Sequence, residues 1–138
     1  MLFGQEHVKR YQETDGAEGH EWQGVVTLIL TTTGRRSGEA RSTPLIYGER
    51  KNDYIVVASK GGAPEHPSWY LNVLEHPEVT VQVKGDRFAA RARPAGSEEK
   101  PELWQRMASI WPAYNDYQGK TDREIPVVVL ERSPGAPL

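Results

Sequence analysis

The 138 residues suffice for one domain with a real core, and a content of 37% hydrophobic and 26% charged residues is that of an ordinary globular protein. A formal net charge of −2 argues against general attraction to nucleic acid, so a basic cluster here is a local feature on a mildly acidic surface. The absence of cysteine excludes disulfides and thiolate chemistry and suits a reducing, cytoplasmic setting; there is no apolar run of roughly 18 residues for a membrane span and no signal-peptide pattern at the start.

Residues 1–24 are polar and carry Gly16, Gly19 and Gly24. They read as a partly ordered arm with a short helix over Gln5–Gln12. Its His7, Lys9, Arg10 and Glu13 are expected on a solvated face, with a lid over a site as the alternative. Trp22, and Trp104 further on, read as packing residues.

From residue 25 to 132 the pattern is that of one mainly β domain with short helices. Val25–Leu30 is a continuous β-branched run, expected as a strand buried on both sides. Arg41–Tyr47 is its hairpin partner, and Pro44 within it favours an edge or a bulge. Glu49–Asp53 is a polar turn before the strand Tyr54–Ala58. A loop through Pro67 leads to a short helix from Ser68. Val79–Val83 and Arg87–Arg93 alternate across the Lys84-Gly85-Asp86 turn as a second hairpin. Ser97 is the expected cap of a helix whose apolar stripe is Leu103, Met107, Ile110 and Trp111. Ile125–Leu130 is a last buried strand, and residues 133–138 form a tail. No strand–helix–strand alternation appears, so a small antiparallel barrel fits better than a doubly wound fold.

Two loops carry the chemistry. Gly34-Arg35-Arg36-Ser37-Gly38 follows the first strand, and Ser59-Lys60-Gly61-Gly62 follows the third. Glycines let backbone amides converge on a ligand, and guanidinium groups suit phosphate or carboxylate. Brought together, Arg35, Arg36, Arg41 and Lys60 would grip a polyanionic small molecule. A plain hairpin connection with solvated charges is the competing reading. No histidine pair has metal-ligand spacing, so no metal site is expected, and no serine lies in a nucleophile elbow. Trp111, Tyr114 and Tyr117 are spaced by three and share a face in any helical conformation. Tyr114 and Tyr117 lie among polar residues, which favours a wet cleft for a flat ligand. Trp111 reads equally as core. Trp69 and Tyr70 could form another wall. An anion cradle beside an aromatic slot points to a phosphate-bearing, ring-containing cofactor that carries the chemistry itself.

Several multi-residue blocks resemble the deazaflavin-dependent nitroreductase family of actinobacteria. They are Thr31–Gly38 with Arg41 and Pro44-Leu45, Ala58–Gly62, Pro67–Asn72, His76-Pro77, Tyr114–Gln118 and Thr121–Val127, in order across residues 25–131. The resemblance implies a split β-barrel of the FMN-binding-protein type and reduced coenzyme F420 as hydride donor. It implies that Arg35, Arg36, Ser37, Arg41 and Lys60 meet the phospholactyl-glutamyl tail. Pro44, Ser59, Gly61, Gly62, Trp69 and Tyr70 would then lie about the coenzyme. Ser59, Tyr114 and Tyr117 take catalytic roles, and Trp111, Tyr114 and Tyr117 face the substrate. Trp111 stands where nitroreductase-type members carry tyrosine, which favours quinone or enoate acceptors over nitroimidazoles. A small-molecule acceptor, a monomer or weak oligomer and a cytoplasmic place, with contact at the inner membrane face left open, complete the expectation. A non-catalytic carrier of F420, FMN or haem in the same barrel is the alternative, and an FMN oxidase a third.

Overall fold

The structure is a computed structural model that describes residues 2–133; of the expected tail, all but Ser133 lies outside them. The described residues form helix α1 (Gly4–Thr14), strands β1 (Glu21–Trp22), β2 (Val25–Thr33), β3 (Ala40–Ile46), β4 (Gly48–Arg50) and β5 (Asp53–Val57), then helix α2 (Ser68–Glu75). Strands β6 (Glu78–Val83) and β7 (Asp86–Pro94), helices α3 (Lys100–Ile110) and α4 (Ala113–Gly119) and strand β8 (Val127–Arg132) follow.

All pairing is antiparallel, in the order β1-β2-β6-β7-β8-β5-β4, with β3 also bonded to β2. Both expected hairpins are present, and Pro44 sits on β3, whose one partner among the described residues is β2, with Ile29 opposite. The sheet curls around an interior filled by Leu28, Leu30, Val56, Val81, Phe88 and Leu130. Successive side chains on a strand point to opposite faces. On β8, therefore, Val128 and Leu130 enter this interior while Val127 and Val129 pack outward against Leu103, Met107 and Tyr114 of α3 and α4. On β2, Ile29 points outward to Val8 and Tyr11 of α1. Each of these strands is covered on both faces, as its unbroken apolar run requires.

The N-terminal arm holds the expected short helix within α1 but is packed where a loosely held, solvated face was expected. His7 is 2% exposed and Tyr11 fully buried, so α1 is a packed element of the domain. The Tyr11 hydroxyl donates to the Thr27 carbonyl at 2.9 Å and accepts the Lys84 amide at 2.9 Å, which ties the helix to β2 and to the turn after β6. Lys9, Arg10 and Glu13 do lie on the outer face. The polar turn at 49–53 is partly a hairpin, with Glu49 opposite Tyr54. Ser97 caps nothing: α3 begins at Lys100, and Glu99 accepts the Gly96 amide at 3.1 Å while pairing with Arg50 and Arg93.

Candidate active site

The first loop is a tight turn between β2 and β3. Gly34 donates to the Glu39 carbonyl and Gly38 to the Gly34 carbonyl, both at 2.8 Å, and Ser37 Oγ accepts the Glu39 amide at 3.1 Å. Gly38 has a φ of +73°, a left-handed conformation that glycine adopts without steric cost. Buried Asn72 of α2 fastens the loop from below. Its Oδ1 accepts the Arg35 amide at 3.1 Å and the Arg35 guanidinium at 2.9 Å, and its Nδ2 donates to Thr32 Oγ1 at 3.2 Å.

A cleft of about 670 Å³ opens over this loop, floored by the start of β3 and walled by Ser68, Trp69 and Asn72, with Gln5 of α1 at its rim. Arg35, Arg36, Ser37 and Arg41 all line it. The three cations differ in availability. Arg35 is held by Asn72 and the Ser68 carbonyl. Arg41 pairs with exposed Glu39 at 3.2 Å. Arg36 is exposed and has no ion pair among the described residues.

The second loop follows β5 as a short 3-10 turn at Lys60–Gly62, in which Lys60, Gly61 and Gly62 have φ values of 47°, 63° and 86°. It borders a slot of about 380 Å³, with Ser59, Lys60 and Gly61 on one side and Trp111, Tyr114 and Tyr117 on another. Pro44 and Leu45 of β3 add apolar surface, and Phe3, His7 and Trp22 close the side nearest the N-terminus. Thr43 lines both cavities, so the basic cleft runs directly into the aromatic slot. Lys60 stands at the slot and pairs with exposed Glu65 at 3.1 Å, an interaction that holds the Glu65 carboxyl below its usual range.

Tyr114 is 5% exposed, so the expected wet setting is wrong for this ring. Burial, and then Tyr117 beside it, pushes its hydroxyl well above the ordinary phenol value, which keeps the proton in place. That hydroxyl makes no hydrogen bond among the described residues. Tyr117 is half-buried, its ring 6.1 Å from that of Tyr114, and its hydroxyl accepts the Trp111 indole N–H at 3.5 Å.

Two sequence-derived site residues lie outside both cavities. Tyr70 is 8% exposed and packs its ring 4.8 Å from His66, so it belongs to the core. Gly62 is buried against α4, where a Cβ would stand 2.7 Å from the Tyr117 carbonyl oxygen; its lack of a side chain serves packing. Trp69 lines the basic cleft and not the slot. Conversely, Gln5, Trp22, Thr43 and Asn72 border the site without having been singled out for it, and His7 does so where the sequence offered a lid only as the alternative. A signal for the arm exists in retrospect: Phe3, His7 and Tyr11 recur every fourth residue, one face of a helix.

Comparison with known proteins shows the family. Residues 3–132 match the model of the family described as F420H(2)-dependent quinone reductase. This chain belongs to that family. The F420H(2)-dependent quinone reductase of Mycobacterium tuberculosis strain H37Rv is 38% identical over 130 residues, 91% of this chain and 87% of the relative. A second, putative F420H(2)-dependent quinone reductase of that strain is 39% identical over 106 residues, 77% of this chain and 89% of the relative. Among solved structures, the F420-H2 dependent reductase FDR-A superposes with a TM-score of 0.71 at 43% identity, covering 76% of this chain and 93% of that one. A structure described as a domain-swapped dimer gives 0.74 at 40% identity, covering 91% and 95%. More distant is a putative pyridoxamine 5'-phosphate oxidase from Listeria innocua, with a TM-score of 0.56 at 12% identity over 78% of this chain and 83% of that one, a likeness of fold alone.

This chain is thus an oxidoreductase with a split-barrel fold and coenzyme F420 as its cofactor. The family match also takes in the N-terminal arm, which the sequence resemblance left out. The donor set suits that coenzyme: guanidinium groups for an extended anion, then an apolar, aromatic slot for a flat ring. No helix among the described residues is long and apolar enough to cross a membrane.

Proposed function

We propose that this protein reduces quinones, and also activated enoates and lactones, at the expense of reduced F420, with nitro compounds as poorer acceptors. The observation that carries this reading is the junction at Thr43 of a cationic cleft with an aromatic slot. Arg36, Arg41 and Lys60, helped by Arg35 and Ser37, hold the anionic tail. Pro44, Ser59 and Gly61 flank the ring, Trp69 lies along the tail, and Trp111, Tyr114 and Tyr117 face the acceptor.

Reduced F420 supplies the hydride when bound. The residues of the chain position and polarise. Trp111, Tyr117 and Trp22 narrow the slot, exclude water and hold a flat acceptor against the opposite wall, and such orientation accounts for much of a transfer rate. Tyr114 keeps its proton on Oη and has no acceptor for it among the described residues, so it can donate to an acceptor oxygen as negative charge builds there. Loss of one such donor costs about 2.7–4 kcal/mol in other enzymes. Ser59 Oγ is a second donor at the same slot. Trp111 lacks the hydroxyl of the tyrosine that nitroreductase-type members carry, and this is why nitro compounds are placed last. The reading sets the protein in the cytoplasm, as a monomer or weak oligomer.

The test is optical. Protein is mixed anaerobically with reduced F420 and, in separate cuvettes, a quinone panel, a coumarin-type lactone and a nitroimidazole. Return of the oxidised deazaflavin absorbance with the quinones, and more slowly with the lactone, is expected. Saturable coenzyme binding without turnover on any acceptor would replace the reductase reading with that of a carrier.

A further inference from the structure

Arg123 lies outside both cavities, yet it is the most heavily engaged guanidinium near them. Its Nη2 donates to the Ser59 carbonyl at 2.7 Å, its Nη1 to the Ala58 carbonyl at 3.3 Å, and its Nε to the Ala63 carbonyl at 2.8 Å. Nη1 also bonds His66 Nδ1 at 3.1 Å. Since an arginine only donates, His66 is neutral there with Nδ1 as acceptor. One side chain therefore fixes three carbonyls of the loop that borders the slot.

The consequence lies in the peptide planes. No peptide bond among the described residues is cis. In a trans peptide the carbonyl of one residue points opposite to the N–H of the next. With the Ala58 and Ser59 carbonyls turned back to Arg123, the amides of Ser59 and Lys60 are turned the other way. Ser59, Lys60 and Gly61 line the slot, whereas Arg123 does not. The Ala58 amide is taken by the Pro126 carbonyl at 2.9 Å and the Gly62 amide by the Ser59 carbonyl at 2.9 Å. The amides of Ser59 and Lys60 have no acceptor among the described residues. Ser59 is half-buried and Lys60 exposed, so without a ligand these amides meet water, and a carbonyl oxygen entering the slot would find two adjacent donors already oriented.

We propose that Arg123 is a positioning residue, holding two peptide planes so that the Ser59 and Lys60 amides donate together to a carbonyl oxygen in the slot. It rests on the function proposed above and deepens it. A pair of oriented amides strengthens its bonds as that oxygen gains negative charge, at no cost in reorganisation. The carbonyl belongs either to the coenzyme ring or to the acceptor.

The experiment is amide NMR of the intact protein, titrated with oxidised F420 alone and with menadione alone. Downfield movement of the Ser59 and Lys60 proton resonances is expected in one of the two titrations, and which one identifies the oxygen. Arg123→Lys and Arg123→Gln should lose both shifts and bind the responsible ligand roughly tenfold more weakly, about one good hydrogen bond's worth. Arg36→Ala, with its defect in the tail cleft, should weaken F420 yet keep any F420-induced shifts at saturation. Wild-type resonances that stay still while either ligand saturates would overturn the proposal, as would Arg123 variants with native shifts. If those variants do not fold, the wild-type titration decides. A wild-type protein that binds neither ligand would fail the reductase reading itself, and this inference with it.

Discussion

The indole of Trp22 on β1 stands 6.0 Å, centroid to centroid, from that of Trp111 at the end of α3, the two planes tilted by 36°. The first lies in the arm and the second in the helical pair that carries the tyrosines, so this contact joins two walls of the slot. Trp22 is itself held. Its Nε1 donates to the Leu2 carbonyl at 2.7 Å, Phe3 meets it edge-on at 5.7 Å, and His7 stacks on it at 6.2 Å.

Trp22→Ala should therefore widen the slot without touching the basic cleft. Steady-state kinetics are expected to show KM for quinones raised about fivefold to tenfold, the scale of a lost aromatic contact. The Kd for F420 should change less than about twofold. An unchanged KM would return Trp22 to a purely packing role.

Arg36→Ala and Arg41→Ala should each weaken F420 roughly tenfold in low salt, and the deficit should shrink as ionic strength rises. Lys60→Ala should behave alike, because its exposed pair with Glu65 at 3.1 Å is no stronger a competitor than the exposed pair of Arg41 with Glu39 at 3.2 Å. Glu65→Gln is expected to tighten binding. Fluorescence titration at two salt concentrations checks all four, and a salt-independent loss would rule out a charge contact.

Tyr114→Phe removes a hydroxyl from which no group among the described residues accepts. Turnover of quinones should fall by roughly a hundredfold to a thousandfold, the range of a polarising donor, with coenzyme affinity nearly unchanged. Equal effects on both constants would move Tyr114 out of the acceptor's neighbourhood. Thermal stability should change little.

Gly62→Ala and Gly61→Ala separate packing from conformation. Both residues have positive φ, which costs alanine about 1–2 kcal/mol. At Gly61 a Cβ meets nothing within 4 Å, so the loss should stop there. At Gly62 it meets the Tyr117 backbone at 2.7 and 3.0 Å, so α4 must shift and the melting temperature should drop further. Equal melting temperatures would contradict the close approach of loop and helix.

Acid should destabilise the fold in two stages. Burial, and then a nearby cation (Lys84 for His20, Arg123 for His66), holds both imidazoles below the ordinary 6.5. The unfolded chain then binds more protons than the native one between that value and the depressed native ones, so stability is full above about pH 6.5 and falls as pH drops through the native values. The Glu99 carboxyl, bonded by Arg93 and Arg50, is held down to about 2, and its contribution is lost as pH falls from the usual carboxylate range toward that value. Urea midpoints from about pH 7.5 to 3 should fall in both windows, and His20→Gln should flatten the upper one. A midpoint that rises on acidification to about pH 5.5 would reverse the assignment.

Strands, hairpins and the two glycine-rich loops were legible in the linear chain because their causes are local. β-branched runs dictate strands, Lys84-Gly85-Asp86 turns the chain within three residues, and Pro44 suits a strand paired on one side among the described residues. The arginines and Lys60 stood beside glycines at strand ends, where a cradle is built. The arm was misread because His7 and Tyr11 look polar one at a time. Their burial follows only when Ile29 on β2 and the amide of Lys84 come to meet them, and both are far away in sequence. Trp22, Thr43, Asn72 and Arg123 share this character: each matters through a partner that the sheet's curl brings near. Residue type and short-range spacing decided what each segment becomes. Closure of the sheet decided which segments meet, because a slot between residues 3 and 117 exists only after long-range strand pairing has paid its entropy and set the register.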